Sequence, residues 1–286
     1  MRCEFIEAHR REFEAWIMCR VLQVSPSGYY AWRSRGESER ARSNRCLLVE
    51  IRAVHAESKR RYGSPKVHGE LRARGFDCNE KRVARLMRED GLRAKRSRKF
   101  KATTDSRHDF PVAPNLLNRE FEVSRPDEVW VSDITYVWTR EGWLYLAIVL
   151  DLFSRRVVGW SMSHRMTRSL ALDALSAAIG NRSPGPGLLH HSDRGSQYAS
   201  TDYRKLLERH GMKCSMSRKG DCWDNAVAES FFSSYKVESV FGEDFQTREE
   251  ARGKTFEYIE AFYNQTRLHS TLGYLSPVEF EQEQAA

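Results

Sequence analysis

Long apolar runs are what this 286-residue chain has least of. Its longest, Leu144 to Leu150, falls far short of the roughly 20 residues that cross a bilayer, so no membrane span is expected. Met1 to Arg11 is charged throughout and lacks the apolar centre of a secretion signal. Cysteine is sparse too: Cys3, Cys19, Cys46, Cys78, Cys214 and Cys222 are scattered, with no Cys-x-x-Cys pair. That spacing speaks against a disulfide framework and fits a reducing cytosol. Acidic residues are in deficit, 39 against 47 Lys and Arg for a net charge of +8, but the deficit is local. Residues 40–101 carry 20 Lys and Arg against 7 Asp and Glu, a net +13, so the remainder nets −5. A basic module joined to a mildly acidic one concentrates polyanion binding in the first. The length leaves room for two or three domains, one with a sizeable core.

Four stretches follow from the periodicity. Residues 1–36 read as an N-terminal helical segment, with Phe5, Ile6, His9, Phe13, Trp16, Ile17 and Val21 recurring every three or four residues. Ser25-Pro26 then opens a second short helix through Tyr29, Tyr30 and Trp32. This pair is compatible with a helix-turn-helix and equally with a plain helical hairpin. Residues 40–101 predict three helices, through Leu47, Leu48, Ile51 and Val54, from Ser64-Pro65 to Gly75, and from the cap Asn79 to Gly91. The third packs on Val83, Leu86 and Met87 and turns Lys81, Arg82, Arg85 and Arg88 outward, which suits insertion into a major groove. Its basic continuation, with Lys95, Arg96, Arg98 and Lys99, suits an arm along phosphates or into a minor groove. Residues 102–120, with Pro111 and Pro114, read as a linker.

From Phe121 to the end (121–286) the period changes to that of strands. Three strands come first, around Asp133, over Trp143–Asp151 and over Val157–Ser163, then helix and strand alternate, and a long helix runs from about Thr247 to Asn264. Two of these elements carry an acid where burial is expensive. Asp133 interrupts Val129-Trp130-Val131-Ser132-Asp133-Ile134-Thr135-Tyr136-Val137, sharing a face with Val131 and Thr135. Asp193 follows a short apolar strand, in His190-His191-Ser192-Asp193-Arg194-Gly195. A third acid, Glu229, shares a helix face with Asn225, Phe232 and Lys236, opposite a packing face of Val227, Phe231 and Tyr235. Two strand-borne aspartates and a helix-borne glutamate form a hard, all-oxygen donor set suited to Mg2+ or Mn2+, and three carboxylates suffice for two ions about 3.5–4 Å apart. Asp151 reads as a fourth carboxylate or as a turn cap. His190 and His191 orient the site, approach a ligand or serve the core.

The order Asp133, Asp193, Glu229, with 35 residues between the last two and Lys236 seven after the glutamate, resembles the DDE transposase and retroviral integrase superfamily. "HHSDRGSQY", "GDCWDNAVAESFFSSYKVE", "YNQTRLHSTLGYLSP", "MCRVLQVSPSGYYAW" and "YGSPKVHGELRARG" are similar to the OrfB-type transposases of bacterial insertion sequences, over nearly the whole chain. The resemblance implies an α/β chain: an RNase H-like core with a mixed five-stranded sheet and flanking helices, preceded by an all-α, helix-turn-helix-like DNA-binding region. In such a sheet Asp133 and Asp193 sit on adjacent central strands. It implies cleavage of insertion-element ends and strand transfer, with Asp133, Asp193 and Glu229 as catalytic metal ligands and Lys236 on the donor-end phosphates. The implied partners are double-stranded DNA (element ends and target), at least one further copy of the chain, and an upstream-frame OrfA-type protein; the implied place is the bacterial cytoplasm, at the nucleoid. Retroviral integrases add an N-terminal His/Cys zinc module, and since no such spacing occurs here, no structural zinc is expected. Tyr263 to His269 matches the family in a structural or a DNA-facing role. The competing reading, a DNA-binding regulator with an inactive core, is disfavoured by the intact acids.

Overall fold

The computed structural model describes residues 1–95, 112–218 and 222–285. It separates into two compact units, Met1–Arg93 and Ala94–Ala286. Among the described residues no helix is long and apolar enough to cross a membrane, and the cysteines at 3, 19, 46, 78 and 214 are free thiols.

The first unit is all helix. Residues 1–36 hold three helices where two were expected: α1 (Arg2–His9), α2 (Ala15–Val21) and α3 (Pro26–Ser34). The expected first helix breaks after His9, because a single rod cannot bring both of its ends onto α3. With the break, Ile6, Met18 and Cys19 share one core with Tyr29, whose hydroxyl donates to Glu7 at 2.5 Å. Phe13, Trp16 and Val21, expected on the packing stripe, are left exposed. Ser25 does cap α3, accepting from the Gly28 N–H at 3.0 Å. The next three helices are α4 (Glu39–Glu57), α5 (Ser64–Ala73) and α6 (Glu80–Glu89), close to the expected bounds. Leu47, Ile51, Val54, Val67, Leu71, Val83, Leu86 and Met87 are their buried apolar side chains, and Asn79 caps α6 through the Lys81 N–H at 2.8 Å.

The second unit is built on five strands: β1 (Val129–Thr139), β2 (Gly142–Asp151), β3 (Val157–Ser163), β4 (Leu189–Ser192) and β5 (Lys213–Met216). Their order in the sheet is β3-β2-β1-β4-β5. β1, β2 and β3 pair antiparallel, while β4 joins β1, and β5 joins β4, in parallel. Tight turns suffice for the first three, and the parallel additions need crossovers, supplied by α7 (Arg168–Arg182) and α8 (Thr201–Arg209). Alternation divides the core in two. Trp130, Ala147, Val149 and Val158 pack with Leu170, Leu175, Tyr203 and Leu207 of α7 and α8. Gly159 is where α7 comes closest: a Cβ there would meet the Ala174 carbonyl at 2.4 Å.

Val131, Leu144, Leu146, Ile148 and Leu150 face the opposite layer. This layer comprises α9 (Ala226–Tyr235) and α10 (Arg248–Phe256), which runs on as a π-helical turn, Glu257–Tyr263. A final helix, α11 (Pro277–Ala285), went unforeseen; Glu281 ties it to Arg182 and Arg156 at 2.8–3.0 Å. Residues 112–120 lie against β5: Leu117 is buried, and the Leu116 N–H donates to Ser215 Oγ at 2.9 Å.

Candidate active site

Two parallel strands set the aspartates side by side. Ser132 of β1 is in register with Ser192 of β4, so the next residue on each chain is Asp133 or Asp193. β4 ends there, because Asp193 bends the chain: its Oδ1 accepts the Gly195 N–H at 2.8 Å. A Cβ at 195 would stand 2.9 Å from that same oxygen, so a larger residue there would have to displace the Asp193 carboxylate. Asp133 Oδ1 accepts from the Ile134 N–H at 2.7 Å.

α9 brings the third acid. A short 3-10 turn, Cys222–Asn225, leads into it, and Asn225 ties the helix entry to β1 by donating to the Ser132 carbonyl at 3.3 Å. Phe231 and Tyr235 are buried as the packing face requires, and Val227 is half-buried in the same cluster. Phe232 differs from expectation: it is buried rather than presented beside Glu229, because the layer wraps more than one narrow stripe of α9. Glu229 is exposed, and partial desolvation raises its pKa.

Lys236 is buried, its ammonium 4.8 Å from the centre of the Tyr136 ring. It opens a π-helical turn, Lys236–Val240, in which the Phe241 N–H reaches back to the Lys236 carbonyl at 2.7 Å. Burial lowers its pKa to about 8, with the Asp133 charge pulling the other way.

Asp133 reads out the whole arrangement. Burial first, then the Asp193 charge and more weakly that of Glu229, push its carboxyl well above the ordinary range, while the Ile134 N–H and Lys236 oppose. The three acids and Lys236 therefore share one electrostatic site. Among the described residues no three His, Cys, Asp or Glu side chains are grouped closely enough to hold one ion. On Asp133 the Asp193 charge weighs more than that of Glu229.

Around the site the other candidates take structural places. Asp151 is fully buried and accepts from the Asp127 N–H, the Ser154 N–H and the Ser154 hydroxyl at 2.8–3.0 Å, which makes it the turn cap. Burial lifts its pKa to about 6. His190 lies 2.8 Å from Ser132 Oγ and 3.0 Å from the Tyr203 hydroxyl. His191 lies between Ser215 and Ser217 at 2.8 and 3.1 Å. Burial keeps both imidazoles neutral, with pKa values of about 3 and about 4.

Sequence reasoning missed Asp224. Fully buried, it accepts from the Asn115 amide at 2.8 Å, the Arg218 N–H at 2.9 Å and the Arg119 guanidinium at 3.0 Å. Burial would raise its pKa, but these donors hold it below the ordinary value. It pins the entry of α9 to the segment before β1 and to the end of β5. The available signal was an acid beside Asn225, five residues before Glu229, with Arg119 and Arg218 to neutralise it.

A family model described as an integrase core domain matches residues 123–222, a second of that description matches 229–284, and an HTH-like domain model matches 42–100. Transposase InsF for insertion sequence IS3A of Escherichia coli (strain K12) is 49% identical over 289 residues, covering 100% of both chains. The chain belongs to the IS3-type insertion-sequence transposases. An insertion element IS600 31 kDa protein of Shigella sonnei is 47% identical over 266 residues, 93% of this chain and 98% of the other. Among solved structures, the HTLV-2 integrase catalytic core domain in complex with magnesium (trimeric form) aligns at TM-score 0.41 and 15% identity, over 55% of this transposase and 97% of that chain.

The basic residues expected on DNA differ in their surroundings. Lys81 and Arg88 of α6 are exposed. Arg82 donates to Asn44 and Ser43 at 2.8 and 2.7 Å, and Arg85 pairs with Glu89 at 2.9 Å. Lys95 lies 3.9 Å from Glu243, and Arg96, Arg98 and Lys99 lie outside the described residues.

Proposed function

We propose that Asp133, Asp193 and Glu229 are the catalytic acids of this transposase and would together hold Mg2+ or Mn2+, two ions in all. What supports this is the raised pKa of Asp133, which burial lifts first and the neighbouring charges of Asp193 and Glu229 lift further. The donor set fits such ions, being all oxygen and hard. When bound, the ions supply the charge that activates the attacking water or hydroxyl and steadies the leaving oxygen. The residues of the chain do the rest. Asp133 and Asp193 fix the position of the scissile phosphodiester relative to β1 and β4. Glu229 comes from a separate helix, α9. Lys236, buried beside Asp133 with a softened pKa, holds the phosphate of the donor end.

The chemistry is then two exchanges at phosphorus. Water displaces a 3′ oxygen at each element end, and the freed 3′-hydroxyl attacks a target phosphodiester, with no covalent bond to the protein. The arrangement of the chain follows: residues 1–36 as a helical segment, 40–101 as the element-end reader, 102–120 as the connection and 121–286 as the core. Lys81 and Arg88 are the readiest contacts to duplex DNA, joined by Arg82, Arg85, Lys95, Arg96, Arg98 and Lys99. Two ends held together require at least a dimer, with an OrfA-type partner supplying further DNA contacts, at the nucleoid in the bacterial cytoplasm. The deciding experiment is Glu229→Gln on element-end DNA: nicking and joining both vanish while end binding persists. Joining that survives the substitution refutes the assignment.

A further inference from the structure

Two neighbouring tyrosines of the catalytic unit are buried alike and bonded differently. Tyr203 belongs to α8, Tyr198 lies just past the bend at Asp193, and both side chains are buried. Their rings meet edge to face with centroids 5.3 Å apart. The Tyr203 hydroxyl bonds His190 at 3.0 Å. The Tyr198 hydroxyl has no hydrogen-bond partner among the described residues. A buried hydroxyl gives up its water on folding, and without a replacement bond that loss counts in full against the folded state. Most buried polar groups are therefore bonded, and an exception calls for a reason.

The place of the ring supplies one. The Tyr198 N–H donates to the Gly195 carbonyl at 3.0 Å, while the Gly195 N–H donates to Asp193 Oδ1. The point where a Cβ at 195 would stand is 2.9 Å from Asp193 Oδ1 and 3.5 Å from Tyr198 Cδ2, so carboxylate and ring flank one spot. The ring packs in the layer of α7 and α8. Because β4 stops at Ser192, the bend and not strand alternation sets where its hydroxyl lies. Burial, then the charges of Tyr203, Asp133 and Asp193, push the phenol pKa up, so the hydroxyl keeps its proton within reach of both aspartate charges. Asn225 Oδ1 is a second buried atom without a partner among the described residues, on the side chain that bonds the Ser132 carbonyl next to Asp133. The polar lining at the acids is thus incomplete at more than one point.

We propose that Tyr198 is a positioning residue of the acid site, whose hydroxyl donates to the Asp133 and Asp193 carboxylates once divalent ions hold them in place. The proposal rests on the reading of those aspartates as metal ligands. Carboxylates that ligate a metal are themselves held by hydrogen bonds, and losing such a bond costs about 10–100-fold in ion affinity. Ion binding fixes the orientation of each carboxylate and so presents a standing acceptor, to which an O–H···O⁻ bond is among the stronger kinds. The penalty of the unpaired hydroxyl is relieved at that moment and adds to ion affinity.

The test compares the full chain with its Tyr198→Phe, Tyr203→Phe and Asp193→Asn variants, without DNA. Mn2+ binding is measured by calorimetry and thermal melting in metal-free buffer. Tyr198→Phe should melt at the wild-type temperature or above it and bind Mn2+ about tenfold more weakly. Tyr203→Phe, which deprives His190 of a bond, should do the opposite, melting lower with Mn2+ affinity unchanged. The two readouts together separate a donor kept for the ion-loaded site from one that serves the core.

Equal Mn2+ affinity in wild type and Tyr198→Phe overturns the proposal and leaves the hydroxyl a remnant of packing. A lower metal-free melting temperature for Tyr198→Phe overturns it whatever the affinity, because the hydroxyl then has a partner in the fold before any ion arrives. Equal weakening of Mn2+ binding by Tyr203→Phe does so as well, since any loss at this tyrosine pair would then loosen the site. The acid reading fails separately, if Asp193→Asn binds Mn2+ as wild type does; loss of binding there beside an unchanged Tyr198→Phe counts against Tyr198 alone.

Discussion

Two groups of buried charge in the catalytic unit stand in contrast. Around Glu238 every charge is answered: Arg267 donates to both carboxylate oxygens at 2.8 Å, and Tyr258 adds a third bond at 2.9 Å. Burial pulls the Arg267 pKa down, but Tyr258 and Glu238 outweigh it and hold the guanidinium above its ordinary value. Around Asp133 burial and the neighbouring acids raise the carboxyl's pKa, and Lys236, which opposes them, has its own charge weakened by burial. Balanced charge fixes architecture, and unbalanced charge marks where a ligand completes the structure. The tail motif Tyr263–His269 thus resolves to a structural role, since its arginine is the partner that Glu238 requires.

The contrast breaks most visibly at the acids. Glu229→Gln or Asp133→Asn is expected to lower nicking of element-end DNA by at least about 10⁴-fold, roughly 5 kcal/mol of barrier, and to leave melting in metal-free buffer unchanged or higher, because a repulsion has been removed. A stability loss at Asp133→Asn would mean that this charge, too, is balanced.

At Glu238 the expectation inverts. Arg267→Met strands a buried carboxylate and costs about 4 kcal/mol in denaturant unfolding, whereas Arg267→Met with Glu238→Gln recovers much of that loss. If the double variant were as unstable as the single one, the pair would be packing rather than charge.

The paired histidines give a third, pH-dependent handle. His190 and His191 stay neutral in the fold, with pKa values of about 3 and about 4, against about 6.5 when unfolded. As pH falls below about 6.5 the unfolded chain takes up protons and the folded chain does not. Their contribution is therefore complete above that pH and is lost as pH falls toward the folded values, by up to about 1.4 kcal/mol per pH unit for each imidazole. Asp151, raised to about 6, works in the opposite sense. Unfolding curves of wild type and His191→Gln should thus converge between about pH 7 and about pH 4.5, and a pH-independent gap between them would show that His191 is not held neutral.

Much of this was legible in the sequence because it was local. Alternation along Val129–Val137 pointed to the strand and the face of Asp133; a Gly-containing turn after Leu188-Leu189 pointed to the strand end at Asp193. The succession of strands followed from the spacing of runs and breakers, and their mixed sheet from the family resemblance. What was hidden depended on contacts distant in the chain or on a change of helical phase. The break after His9 exists only because α3 demands two contacts. Phe232 is covered by a layer wider than one helix period predicts, and the burial of Lys236 accompanies a π-helical turn that no residue pattern announced.

Asp224 is the extreme case, since Asn115 and Arg119 lie more than a hundred residues away in the chain, and it offers the finest test of the contrast. It is balanced like Glu238 but stands at the entry of the helix that carries Glu229. Asp224→Asn keeps one acceptor oxygen and loses the charge facing Arg119 and Arg218. A modest stability loss of about 1 kcal/mol is expected. If the side chain also sets where α9 begins, activity falls roughly tenfold, as when an outer partner of a metal site is lost, and the divalent-ion concentration for half-maximal nicking rises. Arg119→Met, which removes a partner and keeps the carboxylate, should shift that concentration less than Asp224→Asn does. An unchanged ion requirement in both variants, with the stability loss intact, would make Asp224 a fastener of the fold with no hold on Glu229.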